Sequence, residues 1–439
     1  MIECSGISTE SSKFVVVMIT SQRQRRSSVG GVTRSWDRPG YRFSPDGVPA
    51  IPASEFGNPA TYERELATML RPGHGLMYLG HDLMLPGKGH RVADGDPRVV
   101  LTRDDDGAVR ALANMCTHSL RPLLESNDFV DKSCITCPFH QWSFRRDGSL
   151  IGARDMTFGE GGSAEVEALK AELALPTFEV LTWAGLHFAI NPQRRAEYEL
   201  DFARLNEDFA TRGLSDHLNF DDWVVYATED TPFNADWKTF LEVFGDCYHV
   251  PPYHPGLASF SDCETLEWTF GPNYNSQFLD LHPTRGAASE KYAGWISGLE
   301  QYHERRGETM GTFAVAWLGM YPNIMIELYA GMRVFSVIIP TGPSTHINRS
   351  HYLVPADMET LVPGLPATMK AAFDETGVED QVLVESRHTG AKTAQSLGIN
   401  IESYRPNLTG PAPEAGTAHF YDWYYRELRE QTSGVAPPH

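Results

Sequence analysis

Apolar positions along this chain change period several times, and each change marks an expected element. Between Thr61 and Leu70, the residues Tyr62, Leu66, Met69 and Leu70 recur at helical spacing. From about Leu76 to Ile190 the pattern shortens to strands broken by turns. Val99-Val100-Leu101-Thr102, the turn Asp104-Asp105-Asp106-Gly107 and then Val109 to Leu112 predict a hairpin leading into Asn114 and Met115. Trp183 to Ile190 closes this β stretch, and Asn191-Pro192 ends it. Residues 193 to about 215 are charged and helical in pattern, as a connector would be. Beyond them Trp237, Phe240, Leu241, Phe244 and Tyr248 again fall at helical spacing, and Pro251-Pro252 predicts where that helix stops. A further helix is predicted to begin near Glu379, with Val378, Val382 and Leu383 packed inward.

Two constellations of potential metal ligands lie on this scaffold. The first is Cys116-Thr117-His118 followed by Cys137-Pro138-Phe139-His140, which alternates thiolate and imidazole. A zinc finger normally groups its cysteines before its histidines. Alternation suits a [2Fe–2S] cluster with unlike irons, Cys116 and Cys137 on one and His118 and His140 on the other, which is a Rieske centre. The competing structure is a zinc site built from the Cys134/Cys137 pair with the two histidines.

The second constellation begins on the helix at Trp237. Glu242, Asp246 and His249 stand at i, i+4 and i+7 and are expected on one helical face, with His254 aimed back after the proline break. Two histidines and one carboxylate, leaving open positions, are the usual set for mononuclear iron in oxygen chemistry. The segment Glu379-Asp380-Gln381-Val382-Leu383-Val384-Glu385 offers the carboxylate. Spacing favours Asp380 only slightly over Glu379, Glu385 and His388.

Composition narrows the class. A chain of 439 residues has room for two or three cores. A formal net charge of −20 argues against nucleic acid as a partner, and no apolar run is long enough to span a membrane. Six cysteines, three of them crowded near the first motif, read as reduced thiols of a cytoplasmic metalloprotein. The N-terminal patch Phe14 to Ile19 lacks a basic flank and makes a poor signal peptide. The Arg23-Gln24-Arg25-Arg26 run reads as a solvated leader, and Met18 could be the true start.

With both constellations in place, the chain resembles the catalytic α subunit of Rieske non-haem iron oxygenases, the ring-hydroxylating family, over roughly residues 70 to 435. The segment Cys137 to Phe144 with the Asp147-Gly148 turn looks like the family's second cluster loop, departing from it at Gln141, where glycine is usual, and in a slightly longer gap between the two loops. Glu242, Asp246, His249 and His254 match its helix motif, and Asp380 with Leu383 and Glu385 matches its third iron ligand, which decides for Asp380. The resemblance implies an α+β fold: a small all-β Rieske domain inserted in a catalytic domain with a twisted antiparallel sheet covered by helices (helix-grip, START-like). Tyr321 to Asn323 through Ile339 to Pro343 resembles its central sheet, and Thr417 to Arg429 its closing helix. Expected boundaries are a disordered leader over 1–45, a helical lead-in of the catalytic domain over 46–75, the Rieske domain over 76–192 and the catalytic domain over 193–439.

The family further implies a homotrimer, with Asp246 bridging a cluster histidine of one subunit and an iron-ligating histidine of the next. It implies O2 and a small-molecule substrate, with electrons from a separate NAD(P)H-dependent reductase, with or without a ferredoxin. The chain has no convincing G-x-G-x-x-G unit of its own. The aromatic-rich stretch from Trp268 to Tyr329 suits an aromatic substrate, or alternatively a quaternary ammonium or amine, although most of these rings are expected in the core. A Rieske electron carrier without catalysis is the reading from another class, against which the 439 residues and the second metal motif argue; a binding module with structural metals is a further one, which iron analysis separates.

Overall fold

The computed structural model describes residues 37–38, 40–44, 48–153, 164–399 and 414–432. Most of the stretch expected as a leader, including Phe14 to Ile19 and Met18, lies outside these residues. Its last part does not behave as a leader. After the short pair β1 (Asp37–Arg38) and β2 (Tyr41–Arg42), Phe43 is buried against Phe270 and His419, and the Tyr41 hydroxyl lies 2.8 Å from His419 Nε2. The folded body therefore reaches back to at least Tyr41.

The predicted first helix forms as α1 (Pro59–Leu66), capped by Asn58, whose side chain accepts from the amides of Ala60 and Thr61. The β stretch follows as β3 (Met77–His81), β4 (Gly89–Val92), β5 (Val99–Arg103), β6 (Val109–Ala113), β7 (Cys134–Thr136), β8 (Ser143–Arg145), β9 (Leu150–Gly152), β10 (Thr177–Phe178), β11 (Val180–Trp183) and β12 (Leu186–Ala189). They make three small antiparallel sheets, in the orders β10-β6-β5-β4, β11-β12-β3 and β7-β8-β9. The β5–β6 hairpin forms as expected. One helix in this region was not anticipated, α2 (Ala164–Glu172); its apolar positions show no amphipathic stripe, and only Val166 is buried.

The connector is α3 (Arg195–Thr211). Beyond it, β13 (Trp223–Phe233), β14 (Ser261–Gly271), β15 (Tyr274–Leu281), β16 (Phe313–Met320), β17 (Ile324–Tyr329), β18 (Met332–Gly342) and β19 (Thr345–Pro355) form one antiparallel sheet. Its order is β13-β19-β18-β17-β16-β15-β14. The helices beside it are α4 (Trp237–Phe244), α5 (Val250–Tyr253), α6 (Pro255–Phe260), α7 (Glu290–Arg306), α8 (Met358–Leu361), α9 (Leu365–Leu397) and α10 (Ala415–Thr432).

Strand alternation decides what each face of this sheet meets. On β17, Ile324, Ile326 and Leu328 point to one side, where they pack with Phe202, Leu205 and Phe209 of α3. Tyr329 points to the other, joining Trp295 of α7 and Met369 and Ala372 of α9. Both faces are covered, so β17 is buried along its whole length. Trp237 and Leu241 of α4 pack with Phe420 and Tyr424 of α10 and with Phe56 and Met69 from the lead-in before β3. A fully buried ion cluster tightens that joint. Lys238 Nζ donates to Glu65 Oε1 and to Asp236 Oδ2, each at 2.8 Å, and the Trp237 indole donates to Glu65 Oε2 at 2.8 Å.

Candidate functional site

The two loops of the first constellation share one local design. In the first, the Leu120 amide donates to the Cys116 carbonyl and the Cys116 amide donates to the Arg121 carbonyl, each at 2.8 Å. In the second, the Gln141 amide donates to the Cys137 carbonyl at 3.1 Å and the Cys137 amide to the Trp142 carbonyl at 2.8 Å. Each loop turns on a left-handed residue, Leu120 at φ 62° and Gln141 at φ 59°. Cys116 and Cys137 are fully buried, while His118 and His140 are exposed with ring centroids 4.7 Å apart. The indole of Trp142 stacks on His118 at 4.7 Å. Burial, together with the facing Cys137 thiol, pushes the Cys116 thiol up, so cluster binding must displace that proton.

This separation of a buried thiol pair from an exposed imidazole pair fits a cluster with two unlike irons. A single zinc ion would need its ligands gathered around one point. Among the described residues, no three of Cys134, Cys137, His118 and His140 converge within 4.8 Å. The usual glycine at position 141 now has its reason, because a side chain at positive φ costs about 1–2 kcal/mol. Gln141→Gly is therefore expected to raise the melting temperature of the cluster-loaded protein by about 1–3 °C. Calorimetry showing no rise, or a fall, would mean that the glutamine side chain compensates for the strain.

The second constellation is built differently from its sequence-based expectation. The helix α4 stops at Phe244, capped by Gly245, so Asp246 and His249 do not continue its face. A β-carbon on Gly245 would come within 2.6 Å of the Thr417 amide nitrogen, and that amide donates to the Gly245 carbonyl at 3.0 Å. This close approach of α10 ends the helix. Glu242 stays behind on α4 in an ion pair with Arg387 at 2.7 Å and a hydrogen bond from the Tyr421 hydroxyl. Pro251 and Pro252 do not terminate the helix at Trp237. They occupy the first turn of α5, where a missing amide costs little. His249 sits just before α5, and His254 lies between α5 and α6.

Asp380 reaches the two histidines from the middle of α9, a helix that begins at Leu365 and not near Glu379. Its Oδ1 lies 3.0 Å from His254 Nε2 and 3.7 Å from His249 Nε2, and one ligand atom from each residue falls within 4.8 Å of the others. Burial disfavours the ionised carboxyl, but the two imidazoles hold Asp380 below the usual carboxylate range. Of the remaining ring nitrogens, that of His254 is hydrogen-bonded to a carboxylate and that of His249 stands near one. His254 Nδ1 is 2.7 Å from Glu379 Oε2, and His249 Nδ1 is 3.5 Å from Asp246 Oδ2. Such partners orient a metal-binding imidazole through its other nitrogen. Two imidazoles and a carboxylate on one side fit a mononuclear iron with positions left open.

The other carboxylate candidates lie elsewhere. Glu385 accepts from the Asn234 amide at 2.9 Å, and His388 Nδ1 is 3.4 Å from the Asp236 amide nitrogen. Val378 and Val382, expected inward, are 65% and 58% exposed. Asp380 is two residues from each, about 200° around the helix, so turning the carboxylate in turns both valines out. Phe373, Thr376, Gly377, Asp380 and Val384 form the inward stripe instead.

These residues close a cavity of about 100 Å³. Of the aromatic residues in the stretch from Trp268 to Tyr329, Trp317 and Tyr329 line it, and Phe233, Phe240, Phe244 and Phe373 come from outside that stretch. Sequence reasoning missed Glu327, a carboxylate set into the wall. It accepts from the Tyr329 hydroxyl and from Ser336 Oγ, each at 3.1 Å, and burial pushes it up to about 8. A signal existed, since Glu327 is the lone charge in the apolar run Ile324 to Tyr329. Among the described residues no Lys or Arg lines the cavity.

Comparison with known proteins agrees with this architecture. Residues 77–170 match the Rieske [2Fe-2S] domain, and residues 220–430 match the ring hydroxylating alpha subunit (catalytic domain). The putrescine 2-hydroxylase of Ralstonia nicotianae is 29% identical over 382 residues, covering 86% of this chain and 95% of that protein. The solved structure of a quaternary ammonium Rieske monooxygenase superposes with a TM-score of 0.66 at 20% identity, covering 88% of this chain and 96% of that one. Naphthalene 1,2-dioxygenase superposes with a TM-score of 0.66 at 19% identity, covering 87% and 92%. Members of the family carry the Rieske cluster and a mononuclear iron, work with O2, an organic substrate and a reductase, and form oligomers. Two domain models in the right order, on a fold with those neighbours, establish that the chain belongs to the catalytic α subunits of the Rieske non-haem iron oxygenases.

Proposed function

We propose that Cys116, His118, Cys137 and His140 hold the cluster, that His249, His254 and Asp380 hold the iron, and that the substrate is a small organic molecule bearing a charged nitrogen. The observation that carries this reading is the His249/His254/Asp380 set opening onto a largely apolar cavity. When bound, the iron supplies the activation of O2, with electrons delivered through the cluster. The chain's own residues prepare that chemistry. Glu379 fixes the ring of His254, Asp380 keeps its charge between two imidazoles, and the aromatic walls keep bulk water from the reacting carbon.

Asp246 has a positioning role in this proposal. It stands beside His249, and the cluster histidines are exposed where a second subunit could reach them, which supports a homotrimer with electron transfer between neighbours. A separate cytoplasmic reductase, with or without a ferredoxin, supplies NAD(P)H electrons. No helix among the described residues is long and apolar enough to cross a membrane. Of the two substrate classes expected from the sequence, an aromatic compound and an amine or quaternary ammonium, a charged nitrogen is favoured because the names of similar proteins point to putrescine and to quaternary ammonium compounds. The naphthalene enzyme shares the fold alone.

The test is anaerobic iron and acid-labile sulfide analysis of the purified protein, with an EPR spectrum after dithionite reduction. A Rieske signal with iron in excess of sulfide is expected, and turnover of amines with a surrogate reductase should follow. Zinc without sulfide would remove the basis of the assignment.

A further inference from the structure

The cavity wall carries an arrangement that the iron chemistry does not use. Glu327 is 7% exposed and lies opposite Trp317 on the neighbouring strand β16. Each of its carboxylate oxygens accepts one hydrogen bond, from Ser336 or Tyr329, and each can accept another. Across the β18–β19 pair, Ser336 stands opposite Ser350, and Asn348 lies two residues before Ser350, one diagonal step away on the same face. Asn348 is 9% exposed and lines the cavity, and among the described residues its Oδ1 has no hydrogen-bond partner. Facing the cavity, that oxygen can accept a hydrogen bond from a ligand there. Trp317 and Tyr329, joined by a 3.0 Å hydrogen bond from the indole to the hydroxyl, place two aromatic rings beside the carboxylate.

We infer that Glu327 and Asn348 form the substrate anchor, and that the group they take is a protonated amine with N–H bonds, such as a primary alkylammonium. The inference rests on the oxygenase reading above and names the substrate class of that same site. Three features lead to it. A carboxylate in a cavity without Lys or Arg selects a cation and rejects a substrate carboxylate. Two acceptors, one of them unpaired, need donors, which a quaternary ammonium does not have. The two aromatic residues line the same wall, and the Tyr329 hydroxyl fixes the carboxylate that meets the charge. Bound cation also keeps Glu327 ionised, against the burial that raises it. The alkyl chain of the amine then runs along the apolar wall toward His249, His254 and Asp380.

Calorimetric titration of the full-length, iron-loaded protein under anaerobic conditions tests this without any turnover. The probes are butane-1,4-diamine and butyltrimethylammonium, a cation with no N–H or O–H donor, with iron and sulfide measured on the same samples. The wild-type protein is expected to bind the diamine more tightly than the quaternary cation. Glu327→Gln should weaken diamine binding by about 30-fold or more, the cost of stripping a buried charge of its partner. Asn348→Val should weaken the diamine several-fold and leave the quaternary cation unchanged. Diamine binding that survives Glu327→Gln unaltered, or quaternary cation binding tighter than diamine, overturns the anchor while a normal iron and sulfide content keeps the oxygenase reading. Absence of both metals after reconstitution overturns the oxygenase reading, and the anchor with it.

Discussion

Asp380→Ala is expected to lose the mononuclear iron and to reduce turnover by at least about 10³-fold, while acid-labile sulfide and the reduced-cluster EPR signal stay as in the wild type. The two losses and the two retentions follow from where the groups sit. Asp380 is the carboxylate that meets both His249 and His254, and it comes from α9, far along the chain from either. Without it, two imidazoles remain, and His254 keeps only its Glu379 partner. The proposed cluster ligands belong to loops beside β6, β7 and β8, held by their own backbone hydrogen bonds. Metal analysis and EPR on one preparation check the prediction. Iron that stays at the wild-type level would show that the third ligand is another residue, and would return Glu379, Glu385 and His388 to consideration.

Asp246→Asn is expected to keep both metals and still lose steady-state turnover by roughly 10–100-fold, the usual cost of removing a carboxylate that orients a ligating histidine. The carboxylate is 3.5 Å from His249 Nδ1, partly exposed, and braced by the Tyr248 amide, which donates to its Oδ1 at 2.6 Å. An amide of the same shape keeps that brace but loses the negative charge, and cannot accept equally from imidazoles on two sides. The informative readout is the rate at which the pre-reduced cluster is oxidised when substrate and O2 are added. A bridge slows that rate with metal content unchanged, whereas a merely structural residue would lower the iron content or the melting temperature instead. Near-normal turnover in the variant would count against the bridge.

The chemistry of the two cluster loops could be read from the chain because it is local. Cys116 and His118, or Cys137 and His140, are separated by one or two residues, and the loop that presents them closes within five residues through its own amides. The same holds for the presence, though not the exact ends, of α1, α3 and the β5–β6 hairpin, which follow from periodicity and turn residues. Gln141 shows the limit even there. The sequence marks it as unusual, but the left-handed backbone that makes it unusual is visible only in the structure.

The mononuclear site is a different kind of problem. Its ligand types could be named from the sequence, with Asp380 chosen by resemblance and not by spacing. That choice depends on which side of α9 faces the sheet. Helical periodicity alone pointed Val378 and Val382 inward, and the turn of Asp380 toward the two histidines put them outside. The end of α4 depends on the approach of α10 from more than a hundred residues away, and Glu379 takes its place behind His254 through the same long-range packing. The sequence by itself determined the family and the metals it carries, because short spacings, residue chemistry and resemblance carry that information. Only the tertiary structure decided the wall of the cavity, where Glu327, Ser336 and Asn348 from three strands come together, because strand register and helix packing bring together residues whose spacing along the chain records nothing of their contact.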